Sequence, residues 1–371
     1  MQPVRFHKSQ WKNEYMETSH KKIPVGVLGA TGMVGQRFIE LLQEHPWFEL
    51  VALAASDKHN GLPYAEVTGW RLSGSDMPAA AANLPVVSCR PDAMPGVKVV
   101  FSALPGEIAG EIEIDFARAG VAVFSNAKNH RMGADVPLLI PEVNAGHIAA
   151  IPHQQKQRGW SGFIVTNANC SSTPLVMALK PLQQAFGVSK VLVTTMQAIS
   201  GAGYPGLPSY DILDNAIPYI GGEEEKVESE TLKMLGEWQE GRGFVDAPLV
   251  VSAHCNRVAT REGHLECASI QLERPASPEE IIAAWENYVP ESQAARLPSA
   301  PERALVYRRE IDRPQTLRDR DAGNGMTVTL GRLRPCPLFS YKFVMLGHNT
   351  IRGAAGGSVL NAEWCVSKGL L

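Results

Sequence analysis

A two-domain α/β protein is the fold class this sequence predicts: a Rossmann-type dinucleotide-binding domain first, then an α+β domain with a mostly antiparallel sheet. Three observations predict it. An apolar run at residues 23–28 passes straight into Gly29-Ala30-Thr31-Gly32-Met33-Val34-Gly35 and a helical pattern reaching about residue 44, the order strand, glycine turn, helix. Buried-strand signatures at 50–55, 97–103 and 121–125, with a helical stretch at 107–119 between the last two, predict a parallel, doubly wound sheet. After Cys170 a helix over 173–186 gives way to strands at 188–199, 249–259, 265–272, 326–333 and 341–346. Strand runs with few intervening helices pair mainly antiparallel.

Length agrees with two cores, since 371 residues with 44% hydrophobic side chains exceed one average domain. The expected bounds are an arm at 1–22, a dinucleotide-binding domain at 23–168 and a second domain at 169–347. The Ala/Gly-rich helical tail within 348–371 is expected to pack back on the first domain. Residues 1–22 mix Arg5, Lys8, Lys12, Lys21 and Lys22 with Glu14 and Glu17 and lack the apolar core of a secretory signal. They read as a mobile or partner-docking arm, an organelle address being the other reading.

A net charge of -3 supplies no basic field for a nucleic-acid backbone. No run of 18 apolar residues predicts a membrane span. Cys89, Cys170, Cys255, Cys267, Cys336 and Cys365 show no framework spacing, which predicts reduced thiols and a cytoplasmic location.

The glycine trio allows a tight turn and close approach of a pyrophosphate, with the helix N-terminus offering N–H groups and a positive dipole end. Gly29, Thr31, Gly32, Met33, Val34 and Gly35 are therefore the expected cofactor loop. After the second strand the chain reads Ser56-Asp57-Lys58-His59. Ser56 and Lys58 suit a 2'-phosphate and so NADP, whereas Asp57 taken alone suits the ribose of NAD.

Asn167-Ala168-Asn169-Cys170-Ser171-Ser172-Thr173-Pro174 precedes the 173–186 helix. Pro174 is tolerated in a first turn and the Ser/Thr cluster is cap chemistry, so Cys170 is expected at a helix start, where the dipole favours thiolate. Asn169 and nearby N–H groups are the expected donors to an oxyanion. The plain alternative is a buried structural cysteine. The stretch 253–267 holds two histidines, two cysteines and two arginines, but no paired C-x-x-C or H-x-x-x-H spacing for zinc.

These motifs, together with Gln197-Ala198-Ile199-Ser200-Gly201-Ala202-Gly203, residues 217–226, Arg257, His264 and Asn349, resemble the aspartate-semialdehyde dehydrogenase family in its archaeal and fungal branch. The resemblance implies a catalytic and dimerisation role for the second domain, with Cys170 as the acyl-thioester residue and His264 as acid/base. It further implies Arg257 on the substrate carboxylate, Gln197 on substrate, Glu223 and Lys226 as an acidic and basic site pair, and Arg131 on phosphate. Ser200, Gly201 and Asn349 are implied at the cofactor. The implied reaction is NADP-dependent interconversion of aspartyl phosphate and aspartate semialdehyde by a homodimer or homotetramer. Asp57-Lys58-His59 departs from the family's arginine beside serine. A malonyl-CoA reductase of the same fold and a non-catalytic redox sensor are the other readings.

Overall fold

The computed structural model describes residues 21–371; the expected arm, apart from Lys21 and Lys22, lies outside the described residues. Seven parallel strands form the first sheet: β1 (Ile23–Leu28), β2 (Phe48–Ala55), β3 (Val86–Ser88), β4 (Val99–Ser102), β5 (Ala122–Ser125), β6 (Leu138–Leu139) and β7 (Phe163–Asn167). Their order, β3-β2-β1-β4-β5-β7-β6, reverses direction between β1 and β4. A doubly wound sheet opens a crevice at that switch point. Here it is shaped by Gly29, whose φ of +74° suits a residue without Cβ; a Cβ there would stand 2.7 Å from the Ala103 carbonyl oxygen.

β1, β4, β5 and β7 bury almost every residue, as strands covered on both faces must. The Met33–Leu42 and Gly356–Ser367 helices lie over them, packing Phe38, Ile39, Val359, Leu360 and Trp364 into one core with Val27 and Phe101. The tail returns to the first sheet through a π turn at Ile351–Ala355. That turn carries Arg352, whose guanidinium forms a fully buried fork with Glu142 at 2.5 and 2.9 Å.

A small ribbon, β10 (Glu237–Gln239) with β11 (Gly243–Val245), stands apart from a second seven-stranded sheet. That sheet contains β8 (Val188–Gln197), β9 (Ala216–Ile217), β12 (Val250–Val258), β13 (His264–Leu272), β14 (Leu305–Arg308), β15 (Val328–Pro335) and β16 (Tyr341–Gly347). Four of its six pairings are antiparallel, while β12 with β8 and β14 with β15 run parallel. Its core side lies against the long Ser172–Phe186 helix, and period-2 alternation buries Val191, Val193, Ala253, Ala268 and Ile270 there. The sequence reading did not anticipate β3, β6 or β7, the Glu223–Leu235 helix, or β9, β10, β11 and β14. Among the described residues, no helix is long and apolar enough to cross a membrane.

Candidate active site

Register across the second sheet assembles three functional side chains. Gln197, at the end of β8, pairs with Arg257 on β12, and on its other side β13 brings His264 to the same level, one position before Leu265, which pairs with Met196. Arg257 and His264 therefore sit on strands flanking β8, roughly 10 Å apart at two strand spacings. The chain returns between them through Glu262 and Gly263, whose φ is +94°.

Cys170 follows β7 at the junction of the two sheets and is half-buried. Its sulfur lies 3.2 Å from His264 Nε2. His264 is fully buried and its Nδ1 accepts the Ala198 N–H at 3.1 Å. A backbone N–H only donates, so Nδ1 carries the lone pair and the neutral ring holds its proton on Nε2, facing the sulfur. Burial, with Arg257 adding, pulls His264 down to about 3 and keeps it neutral at ordinary pH.

The expectation of a thiolate set by the helix start needs correction. Enclosure by protein, reinforced by Glu223, pushes the Cys170 thiol up to about 12, while Arg131 and Arg257 work in the opposite sense. The cap expectation changes too. Asn169 Oδ1 accepts the N–H groups of Ser171 and Ser172 at 2.8 and 3.1 Å, whereas Ser171 Oγ and Ser172 Oγ are buried without partners. Asn169 thus caps the helix itself, worth about 1 kcal/mol. Its amide nitrogen donates to Glu223 at 2.7 Å, so these bonds fix the nucleophile turn.

Glu223 opens the Glu223–Leu235 helix and accepts Lys226 Nζ at 2.9 Å. Burial works to raise its carboxyl, but the Asn169 bond and the Lys226 charge together hold it below the ordinary value. Two turns further on, Glu230 takes Arg131 Nη1 at 2.8 Å and the Asn169 N–H at 2.7 Å. Lys233, one more turn along, donates to the carbonyls of Arg131, Gly133 and Val136 at 2.7–2.9 Å. One helix face thus anchors both the Arg131 loop and the nucleophile turn. Glu230 and Lys233 were missed in the sequence, although their spacing from Glu223 places them on that face.

A cavity of about 420 Å³ brings together Val34, Arg131, Asn169, Cys170, Gln197, Ser200, Gly201, Glu223, Lys226, Arg257 and Asn349. Gly29, Thr31, Gly32, Met33 and Gly35 stand behind Val34 in the glycine loop, while Ser56 and Lys58 are exposed at the end of β2. Larger grooves of about 760 and 780 Å³ hold no cysteine. Asn349 links the cofactor side to the catalytic strand, its Nδ2 donating to Ser200 Oγ and its Oδ1 accepting the Gly263 N–H, each at 2.8 Å. Gly353, also missed, lies so close that a Cβ would stand 2.7 Å from Cys170 Cβ.

The glycine loop fits a dinucleotide. Gln36 makes the first helical bond, to Gly32 at 2.9 Å, and no side chain caps the turn, which leaves the preceding N–H groups for an anion. A Cβ on Gly35 would meet the Gly29 carbonyl at 2.3 Å, so that position needs glycine for the helix to close on the strand.

A doubly wound domain whose phosphate loop opens onto a cysteine–histidine pair, held by a second, mainly antiparallel sheet, defines the class of two-domain semialdehyde dehydrogenases. Residues 24–151 match the model of the semialdehyde dehydrogenase NAD binding domain, and residues 179–352 that of its dimerisation domain. The chain is 50% identical over 347 residues to the aspartate-semialdehyde dehydrogenase of Archaeoglobus fulgidus, covering 94% of this chain and 99% of that one. It is 48% identical to the enzyme of the same name from Cryptococcus neoformans, covering 94% and 98%. A crystal structure of aspartate-semialdehyde dehydrogenase with NADP from Candida albicans superimposes with a TM-score of 0.86 at 42% identity, covering 95% of this chain and 100% of that one. The chain belongs to the aspartate-semialdehyde dehydrogenase family.

Proposed function

We propose that this protein catalyses the reversible, NADP-dependent reductive dephosphorylation of L-aspartyl 4-phosphate to L-aspartate 4-semialdehyde, in synthesis of the aspartate-derived amino acids. The observation that carries the reading is the 3.2 Å approach of Cys170 Sγ to His264 Nε2 in a cleft shared with the glycine loop. The Candida relative was solved with NADP and a Vibrio cholerae relative, 26% identical, in complex with ASA. We assign the two functional domains to residues 23–168 with the 348–371 tail, and to 169–347.

The Cys170 thiol attacks the acyl carbon and phosphate departs with the thiol's proton, leaving a thioester. Arg131 and Lys226 hold the phosphate, and Arg257 grips the substrate's free carboxylate with a fork that lysine lacks. Bound NADPH, seated on Gly29 to Gly35 with Ser56 and Lys58 at its 2'-phosphate and Ser200, Gly201 and Asn349 along the cleft, supplies the hydride that reduces the thioester. His264 serves with the proton on Nε2: it hydrogen-bonds the sulfur and then the hemithioacetal oxyanion, which collapses to the aldehyde and releases the Cys170 sulfur to take up a proton from solvent. Gln197 lies between Arg257 and His264 and orients the substrate.

The second sheet's outer face is uncovered: Val250 is 65% exposed, and Ser252, His254 and Cys267 are exposed beside it. The matching family model is a dimerisation domain, and a second copy laid on this face gives a homodimer, with a dimer of dimers as its extension.

An NADPH absorbance assay tests the reading. Turnover with aspartyl phosphate, and phosphate-dependent oxidation of aspartate semialdehyde, is expected. Robust turnover with malonyl-CoA and none with aspartyl phosphate assigns the other reductase activity; no turnover with either leaves a redox sensor.

A further inference from the structure

Arg37 and Glu262 form a buried contact between the cofactor helix and the catalytic strand, 225 residues apart in sequence. Arg37 lies on the Met33–Leu42 helix one turn beyond its start and is 6% exposed. Its Nη1 donates to Glu40 of the same helix at 2.6 Å and its Nη2 to Glu262 at 3.0 Å. Nε is buried without a partner, so these two carboxylates fix the guanidinium. Its orientation therefore follows the helix.

Glu262 collects three segments. Its carboxylate accepts Thr350 Oγ1 at 3.3 Å and lies 3.6 Å from His348 Nε2, while its main-chain carbonyl accepts Arg320 Nη1 at 3.3 Å. The next residue is Gly263, tied to Asn349, and the one after is His264. A carboxylate two residues from the catalytic histidine is thus bolted to the helix that follows the glycine loop.

We propose that Arg37 and Glu262 are positioning residues that couple dinucleotide occupancy of the glycine loop to the placement of His264. Displacing the cofactor helix separates Arg37 from Glu262 and leaves a desolvated charge without its partner, an arrangement the interior strongly resists. Dinucleotide phosphates on the loop fix the helix, and the pair passes that constraint to Gly263 and His264. Such coupling is reciprocal, so a ligand on His264 tightens dinucleotide binding by the same factor. The proposal rests on the cofactor assignment made above.

Amide hydrogen exchange on the full chain, with NADP titrated by intrinsic fluorescence in the same samples, tests it. NADP is expected to slow exchange at residues 260–266 by at least about fivefold, the lower end of ordinary coupling between sites. In Arg37→Gln and in Glu262→Gln the nucleotide should still bind while this protection is lost, with kcat falling about tenfold or more at nearly unchanged KM for NADP. The double variant should lose no more than either single one, and Arg37→Lys should recover part of the protection. NADP binding without protection in the wild-type protein, or protection that persists in both glutamine variants, overturns the proposal even if a variant folds poorly. Failure of NADP to bind the wild-type protein overturns the cofactor reading, and the coupling with it.

Discussion

Gly201 leaves no room for a side chain beside Arg257: a Cβ added to it would stand 2.7 Å from Arg257 Nη1, and 3.4 Å from His264 Cε1. Arg257 in turn donates to the Ala198 carbonyl at 2.7 Å, beside the Ala198 N–H that sets the His264 tautomer. One short segment of backbone thus places both side chains. Gly201→Ala should lower kcat/KM for aspartyl phosphate by about 100-fold, the scale expected for an approximately 1 Å misplacement of reacting groups. Thermal stability should change little, because the loop is largely exposed. Wild-type kinetics in this variant would show that the close packing has no role in catalysis.

The thiol's burial predicts a pH dependence. A Cys170 pKa pushed up to about 12 leaves the thiol form dominant through neutral and mildly alkaline pH. In the protein alone, alkylation of Cys170 by iodoacetamide should therefore rise about tenfold per pH unit without a plateau up to about pH 10. Levelling off near neutrality would restore the thiolate expected from the helix start alone.

Glu266 predicts a stability effect of definite sign. It is fully buried on the same strand face as His264, and neither carboxylate oxygen has a hydrogen-bond partner. Burial, with Glu223 adding, holds its carboxyl well above the ordinary value of 4.5, so the folded chain keeps a proton that the unfolded chain releases. Stability contributed at this position is then lost as pH rises above that ordinary value. Glu266→Gln removes the penalty. Its Tm should exceed the wild type's at pH 7 to 8, by about 1–2 °C for each kcal/mol released, and the gap should close toward pH 4. A Tm difference that stays constant with pH would exclude a titrating Glu266.

Lys58→Ala tests cofactor choice. Lys58 is exposed at the end of β2 beside Ser56 and Asp57. Losing a charge-assisted bond to the 2'-phosphate should weaken NADP by about 1–3 kcal/mol and leave NAD nearly unchanged. Equal losses measured by fluorescence titration would point to Asp57 and the ribose.

Much of this arrangement was legible in the residues, because local order carries it. The strand–glycine–helix unit, the helix after Cys170 and the long alternating strands follow from periodicity and turn chemistry. β7 was not read because the run Phe163–Asn167 is short and merges with the polar loop leading to Cys170. Glu223 and Lys226 drew attention as a site pair, and the helix that Glu223 begins was overlooked. Period 2 from His264 puts Glu266 on the buried face, a signal that was available and unused. Arg37 with Glu262 and Glu142 with Arg352 lie more than 200 residues apart, and no spacing rule joins them. The Cys170 thiol reverses expectation because enclosure by distant segments outweighs the local helix start.

The most direct test of the account is to trap the acyl-enzyme. Mixing the protein with aspartyl phosphate without NADPH, then quenching in acid and mapping peptides by mass spectrometry, should place one aspartyl group on the peptide carrying Cys170 and none on the Cys170→Ser variant. An adduct on another residue, or full turnover by Cys170→Ser, would contradict it.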